Sequence, residues 1–108
     1  MRAGDLRRQI TVEAHSDVVD SYGQRLQQWT PVCITWAAIE PLAGRELETA
    51  QAVYAEATTR VVMRYRTGID TSMRIVYQGR LFNILEVRDT EMAHKALELL
   101  LSEGMTNG

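Results

Sequence analysis

At 108 residues and 12.2 kDa the chain is one ordinary domain, and 45% hydrophobic against 24% charged residues excludes intrinsic disorder. No apolar run approaches the ~18 residues that cross a bilayer, and Met1–Gly4 leads into no apolar segment, so neither a membrane span nor a secretory signal is expected. A formal net charge of -2 argues against a general nucleic-acid binder, which is normally basic.

Turn-forming residues punctuate the chain at regular intervals: Gly4, Asp20–Gly23, Pro31, Pro41–Gly44, Gly68–Ser72, Gln78–Gly79 and Gly104. The segments between them have strand length, which predicts one antiparallel all-β domain over 1–108, a small β-barrel or β-sandwich. Gln9–Ala14 alternates cleanly, with Ile10, Val12 and Ala14 on one face. Ser16–Gln24 reads as a polar turn closed by Tyr22–Gly23. Arg25–Thr30 is a weaker strand, and Pro31 ends it or puts it at an edge. Val32–Glu40 is β-rich. Val32, Ile34, Trp36 and Ala38 share one side and Cys33, Thr35, Ala37 and Ile39 the other, which is barely more polar; a strand covered on both faces is expected.

Arg45–Ala57 breaks the strand rhythm. Alanine and glutamate dominate it, and Leu47, Ala50, Val53, Tyr54 and Ala57 fall at helical spacing. The apolar stripe is thin, so the expectation is one short helix or a long loop inserted around 43–58, marginal on its own. Thr58–Arg66 returns to period two, with Val61, Met63 and Tyr65 opposite Arg60, Val62, Arg64 and Arg66. Thr67–Ser72 is a turn. Met73–Tyr77 and Leu81–Val87 flank Gln78–Gly79, a tight hairpin connection. The apolar phase shifts near Ile84–Leu85, which marks a bulge or a face buried on both sides. Ala93–Glu103 has the composition of a helix and the alternation of a strand, through Leu97, Leu99 and Leu101. Ile10, Val12, Ile34, Trp36, Val61, Met63, Ile75, Ile84 and Leu99, apolar at period two in separate segments, are expected to fill one core.

The residues offer little chemistry. No GxSxG, P-loop, GxGxxG or HExxH motif is present, so an enzyme is not expected. The single cysteine, Cys33, excludes an internal disulfide and a cysteine zinc cluster, and it fits a reducing compartment. Inside an apolar strand it reads as a buried, inert thiol. His15 and His94 read as surface residues with no ligand spacing. Neither a metal nor a cofactor is implied. Glu40, Glu46 and Glu48 read as a solvated acidic loop.

Charge is arranged in blocks. Residues 1–32 balance. Residues 33–59 set Arg45 against Glu40, Glu46, Glu48 and Glu56, for -3. Residues 60–88 set six arginines against Asp70 and Glu86, for +4. Residues 89–108 set Lys95 against four acids, for -3. Such a chain presents faces of opposite sign, which suits a heterologous subunit contact. Arg60, Arg64 and Arg66 form the most suggestive row, fit to pair with carboxylates of a neighbouring subunit or with phosphates.

The order of motifs is more specific than any one of them. Met1-Arg-Ala-Gly-Asp-Leu-Arg-Arg-Gln-Ile-Thr-Val12 opens the chain. Asp20-Ser-Tyr-Gly23, Trp29 and Trp36-Ala-Ala-Ile-Glu-Pro41 follow, then Gly44-Arg-Glu46 and an Ala/Glu-rich stretch. Next come Thr59-Arg-Val-Val-Met-Arg-Tyr-Arg-Thr-Gly-Ile69, Arg74-Ile-Val-Tyr77, Gly79-Arg-Leu-Phe-Asn-Ile84, Val87-Arg-Asp89 and a closing Leu97–Glu103 segment. This series resembles the head–tail joining proteins of tailed phages over nearly the whole chain. The resemblance implies a small β-barrel that ends in a strand, which assigns Ala96–Glu103 to strand. It implies a structural virion protein that forms a ring, of twelve or six copies, at the portal vertex. Its partners would be itself, a portal or adaptor protein, and a tail completion protein. Genomic DNA would pass through its channel without sequence-specific binding. No membrane is implied. The protein would act at the head–tail interface of the virion after assembly in the bacterial host cytoplasm. The interface would use Arg60, Arg64 and Arg66; the segment carrying Arg45, Glu46, Glu48 and Glu56 would form a channel loop. The family's last strand often carries a cysteine, where this chain has leucines. The alternative is a small nucleic-acid-binding barrel of OB or SH3-like type, which needs basic and aromatic residues on one surface.

Overall fold

The computed structural model describes residues 6–89 and 94–104; the opening motif's Met1–Asp5 and Ala93 lie outside them. Six strands, β1 (Arg8–Val19), β2 (Arg25–Pro41), β3 (Thr59–Arg64), β4 (Arg74–Tyr77), β5 (Arg80–Asp89) and β6 (Ala96–Glu103), close an antiparallel barrel in the order β1-β2-β3-β6-β5-β4. One helix, α1 (Gly44–Val53), interrupts the run between β2 and β3. The all-β expectation, the single short helix and the C-terminal strand are all present.

The Gln78–Gly79 connection is a two-residue turn in which both residues have positive φ, 49° and 79°, the conformation that matches the twist of a hairpin. The apolar phase shift in β5 is a bulge: Ile84 faces Leu101 and Glu86 faces Leu100, leaving Leu85 over. The bulge turns Phe82 and Ile84 into the barrel and lets Val87 follow them. Closure comes from a short ladder between β1 and β4, Thr11 to Val76, Val12 to Ile75 and Glu13 to Arg74.

The core holds Ile10, Val12, Ala37, Val61, Met63, Ile75, Phe82, Ile84, Leu97, Leu99 and Leu101. Two residues expected there are outside it. Ile34 is 63% exposed and Trp36 54% exposed, while Ala37 between their strand neighbours is fully buried. The barrel therefore takes the smaller side of β2, Cys33, Thr35, Ala37 and Ile39, and turns the larger side out. Two physical causes act together. A six-stranded barrel has a narrow interior, already occupied by Phe82, Met63 and three leucines, so β2 must contribute small side chains. A second bulge sets the phase: Val12 faces Cys33 and Glu13 faces Pro31, leaving Val32 unpaired. Cys33 packs half-buried against the core.

The segment expected to be a polar turn, Ser16–Gln24, is mostly strand. β1 runs on to Val19 and pairs with Arg25–Pro31 as a two-stranded arm, which helps to stretch the molecule to 50 Å along its longest axis. Only Asp20–Gln24 turns. The Asp20 carboxylate accepts hydrogen bonds from the N–H groups of Tyr22 (2.9 Å) and Gln24 (2.8 Å), and Gly23 takes φ +80°. These contacts complete the turn without the longer loop. Pro31 sits where β2 has β1 on one side and an open edge on the other, the position a proline tolerates. The arm is fixed at its root. Arg74 Nε donates to Glu13 at 2.7 Å, the two side chains being only 13% and 17% exposed. The same guanidinium lies 4.2 Å from the centre of the Trp29 ring, and His15 packs on that ring at 5.0 Å.

Candidate assembly surfaces

The arginine-rich block 60–88 is largely neutralised within the chain. Arg60 donates to Glu40 at 2.6 Å and meets Glu46 of α1 at 2.5 Å. Burial pulls the Arg60 pKa down, but the Glu40 hydrogen bond and the charges of Glu46 and Glu40 outweigh it and hold the group firmly protonated. Arg74 pairs with Glu13 and Arg88 with Glu86. Arg80 makes two bonds to Glu103, at 2.8 and 2.6 Å. Arg64 and Arg66 are exposed and, among the described residues, have no ion-pair partner. Of the row Arg60, Arg64 and Arg66, the first is thus committed to its own subunit and the other two are available to another.

The acidic segment divides in the same way. Glu46 is tied to Arg60 and Glu40 shares that arginine, so these two are barrel braces and not a free acidic loop. Arg45, Glu48 and Glu56 are exposed with no ion-pair partner among the described residues. Helix α1 buries none of its residues. It lacks a side-chain cap at Ala43, and it is held by the buried Leu42 and Ala57 that flank it, by the Glu46–Arg60 ion pair and by Gln51 Nε2, which donates to the Ala57 carbonyl at 3.0 Å. The thin stripe seen in the sequence is thus a helix resting on the barrel without being packed into it. Between α1 and the outer faces of β3, β5 and β6 runs a groove of about 420 Å³ whose lining mixes apolar residues such as Leu42, Val53 and Leu100 with charged ones, among them Arg45, Arg60, Arg88 and Glu98.

His15 and His94 are exposed, as expected; His94 stacks on the Tyr65 ring, and His15 meets the Trp29 ring at a tilt. Among the described residues no group of three His, Cys, Asp or Glu side chains stands close enough to hold a metal ion. No described helix is long and apolar enough to cross a membrane. The surface thus carries features for contact: an arm, a loosely seated helix beside a groove, and an exposed Ile–Trp pair. A family model described as phage head completion protein matches residues 1–104.

The chain belongs to the phage head completion protein family. It is 28% identical over 109 residues to head completion protein gp7 of Enterobacteria phage HK97, spanning 96% of this chain and 97% of that one. A Shigella flexneri 2a protein of known solution structure has the same fold, with a TM-score of 0.79 and 28% identity over 99% of this chain and 100% of that one. A chain from the virion of a native gene transfer agent particle shares the fold at a TM-score of 0.60 and 18% identity, over 94% of this chain and 97% of that one. The arm's signal in the sequence is Asp20-Ser-Tyr-Gly23, a turn narrower than the polar stretch 16–24 that contains it. The exposed Ile34–Trp36 pair had no signal of its own, because an apolar strand face looks the same whether a core or a partner covers it.

Proposed function

We propose that this protein is a structural component of a phage virion that forms a ring at the portal vertex, joins head to tail and helps to close the DNA-filled head. The observation that carries this reading is α1: a helix with no buried residue, held by its buried flanks and one ion pair, whose Arg45, Glu48 and Glu56 have no ion-pair partner among the described residues and can face a channel. In a ring of twelve or six copies these segments converge on the axis. Closure is then steric, and the glutamates repel the DNA backbone, so the genome is blocked without being gripped. The ring docks against a portal or adaptor protein on one side and a tail completion protein on the other. It works at the head–tail interface after assembly in the host cytoplasm, with no catalytic step. The nucleic-acid-binding barrel is disfavoured: four of the six arginines in the basic block are neutralised by their own chain, so that block offers no continuous basic track.

Complementation tests this. DNA-filled heads isolated without the protein should leak their genome and fail to take tails, and adding the purified chain should restore both. Heads that keep DNA and join tails equally well without it contradict the reading.

A further inference from the structure

The arm, made of the second half of β1 and the first half of β2, is a two-stranded ribbon with both edges open. β4 pairs with β1 over Thr11–Glu13 alone, so Ala14–Val19 has β2 on one side and no strand on the other. β3 pairs with β2 over Ala37–Pro41 alone, so Arg25–Thr30 has β1 on one side and no strand on the other. The two edges match in length, and the ladder between them runs without a shift from Ala14 and Thr30 to Val19 and Arg25. Sheet edges that must stay single are usually blocked by lysine, proline or a bulge. These two are not: Pro31 and the bulge at Val32 both lie at the root of the arm. From His15 to Leu26 every residue except Asp20 is exposed, so the ribbon packs on nothing there. Val18 and Leu26, opposite each other on one face, are 37% and 44% exposed. A ribbon of two strands is marginal in water unless a further strand joins it.

We infer that a second copy of this chain supplies that strand, with β2 of one arm, over Arg25–Thr30, pairing with β1 of the next arm, over Ala14–Val19. The inference rests on the ring reading above and names its contact. The chain's own second edge meets each requirement of a partner. β1 and β2 run antiparallel, so two arms set side by side and pointing the same way bring β2 of one against β1 of the next in the antiparallel sense of every other ladder in the molecule. Carried across the contact, the register within the arm puts Leu26 of one copy opposite Val18 of the next on the same face. The exposed pair then becomes a continuous apolar stripe. No like charges are opposed, because Arg25 falls opposite Val19 and Asp17 opposite Gln27. A six-residue antiparallel edge turns about three N–H and three C=O groups outward, so each contact offers about six backbone hydrogen bonds. Every arm gives one edge to each neighbour. The contact is heterologous, and such a contact closes into a ring when the rotation permits. A two-fold pairing, β2 against β2, would use only one edge of each arm. The arm leaves the start of β2 and α1 follows its end, so the shared sheet leaves α1 clear for the channel.

Chains carrying one cysteine each test this, because residues 18 and 26 are neighbours within an arm as well as between arms. In a Cys33→Ser background, Val18→Cys and Leu26→Cys chains are loaded onto heads isolated without the protein, separately and as an equal mixture, and then oxidised. Residues directly opposed on adjacent strands are within disulfide reach, and residues two strands apart are not. The mixture should give disulfide-linked dimers that hold about half of the chains, since each cysteine faces a matching neighbour in one case of two. Neither variant alone should give dimers. Amide exchange of the wild-type chain adds a measure free of substitutions: outward N–H groups in both 14–19 and 25–30 should exchange about tenfold or more slowly in heads than in the free chain. Heads that take the mixture and join tails without mixed dimers, or an edge whose amides exchange as fast in heads as in the free chain, overturn this contact and leave the ring reading standing. Dimers from either variant alone mean a two-fold pairing and overturn it as well. A wild-type chain that never enters heads overturns the ring reading itself.

Discussion

Truncating Phe82 to alanine should destabilise the isolated subunit by about 3–5 kcal/mol, whereas truncating Trp36 should cost less than about 1 kcal/mol. Both residues are aromatic and both lie on strands, but Phe82 is 1% exposed and Trp36 more than half exposed. Phe82 enters the barrel from β5 among Ile75, Ile84 and Leu101, and its removal leaves a cavity that a closed sheet cannot collapse around. A domain of this size is stable by only ~5–15 kcal/mol, so the loss is a large share of the total and lowers the melting temperature by more than ~12 °C. Trp36 rests on the outside of β2 and loses only partial contacts. Urea unfolding of the two variants, with the slopes compared to confirm that the unfolded states match, checks this. A Trp36→Ala loss as large as that of Phe82→Ala would mean that β2 faces the other way.

Replacing residues 46–56 with a short Gly/Ser linker should leave the barrel folded and soluble but yield heads that lose DNA or fail to accept tails. The replacement keeps Leu42 and Ala57, the buried ends of the excursion, and keeps the Glu40–Arg60 pair. It removes Glu46, a half-exposed partner of Arg60, and an exposed pair of this kind contributes only ~0–1 kcal/mol. In the free subunit, amide exchange over α1 should be faster than over β3, β5 and β6, because the helix buries no side chain and opens without disturbing the core. Once the protein is in heads, exchange in α1 should slow. Normal DNA retention and tail joining by the linker variant, or exchange in free α1 as slow as in the strands, would remove α1 from the closure mechanism.

Much of the fold is legible in the residues because its signals are local. Period two gives the strands, Gln78–Gly79 gives the hairpin, and the broken alternation at Ile84–Leu85 gives the bulge. The C-terminal strand is less legible: alanine, glutamate and leucine favour a helix, and only the sheet partners β3 and β5 force Ala96–Glu103 to extend. The ordered motifs shared with a family carry that information where composition does not. The orientation of β2 was not legible. Its two faces differ little in polarity, and the choice between them depends on the barrel's narrow interior and on the bulge at Val32, which neither alternation nor composition reveals. The site residues show the same division. That arginines 60, 64 and 66 share a face follows from strand geometry. That Arg60 is spoken for follows only from the register that sets it opposite Glu40 and from the helix that brings Glu46 over it.

The central claim is that this barrel forms a closing ring at the portal vertex. Cryo-electron microscopy of DNA-filled heads carrying the protein tests it most directly. The account predicts a closed ring of barrels at the vertex, with α1 of every copy turned toward the axis and density from the 44–56 segments narrowing the channel ahead of the DNA. Barrels absent from the vertex, or arranged with α1 facing outward around an open channel, would contradict it.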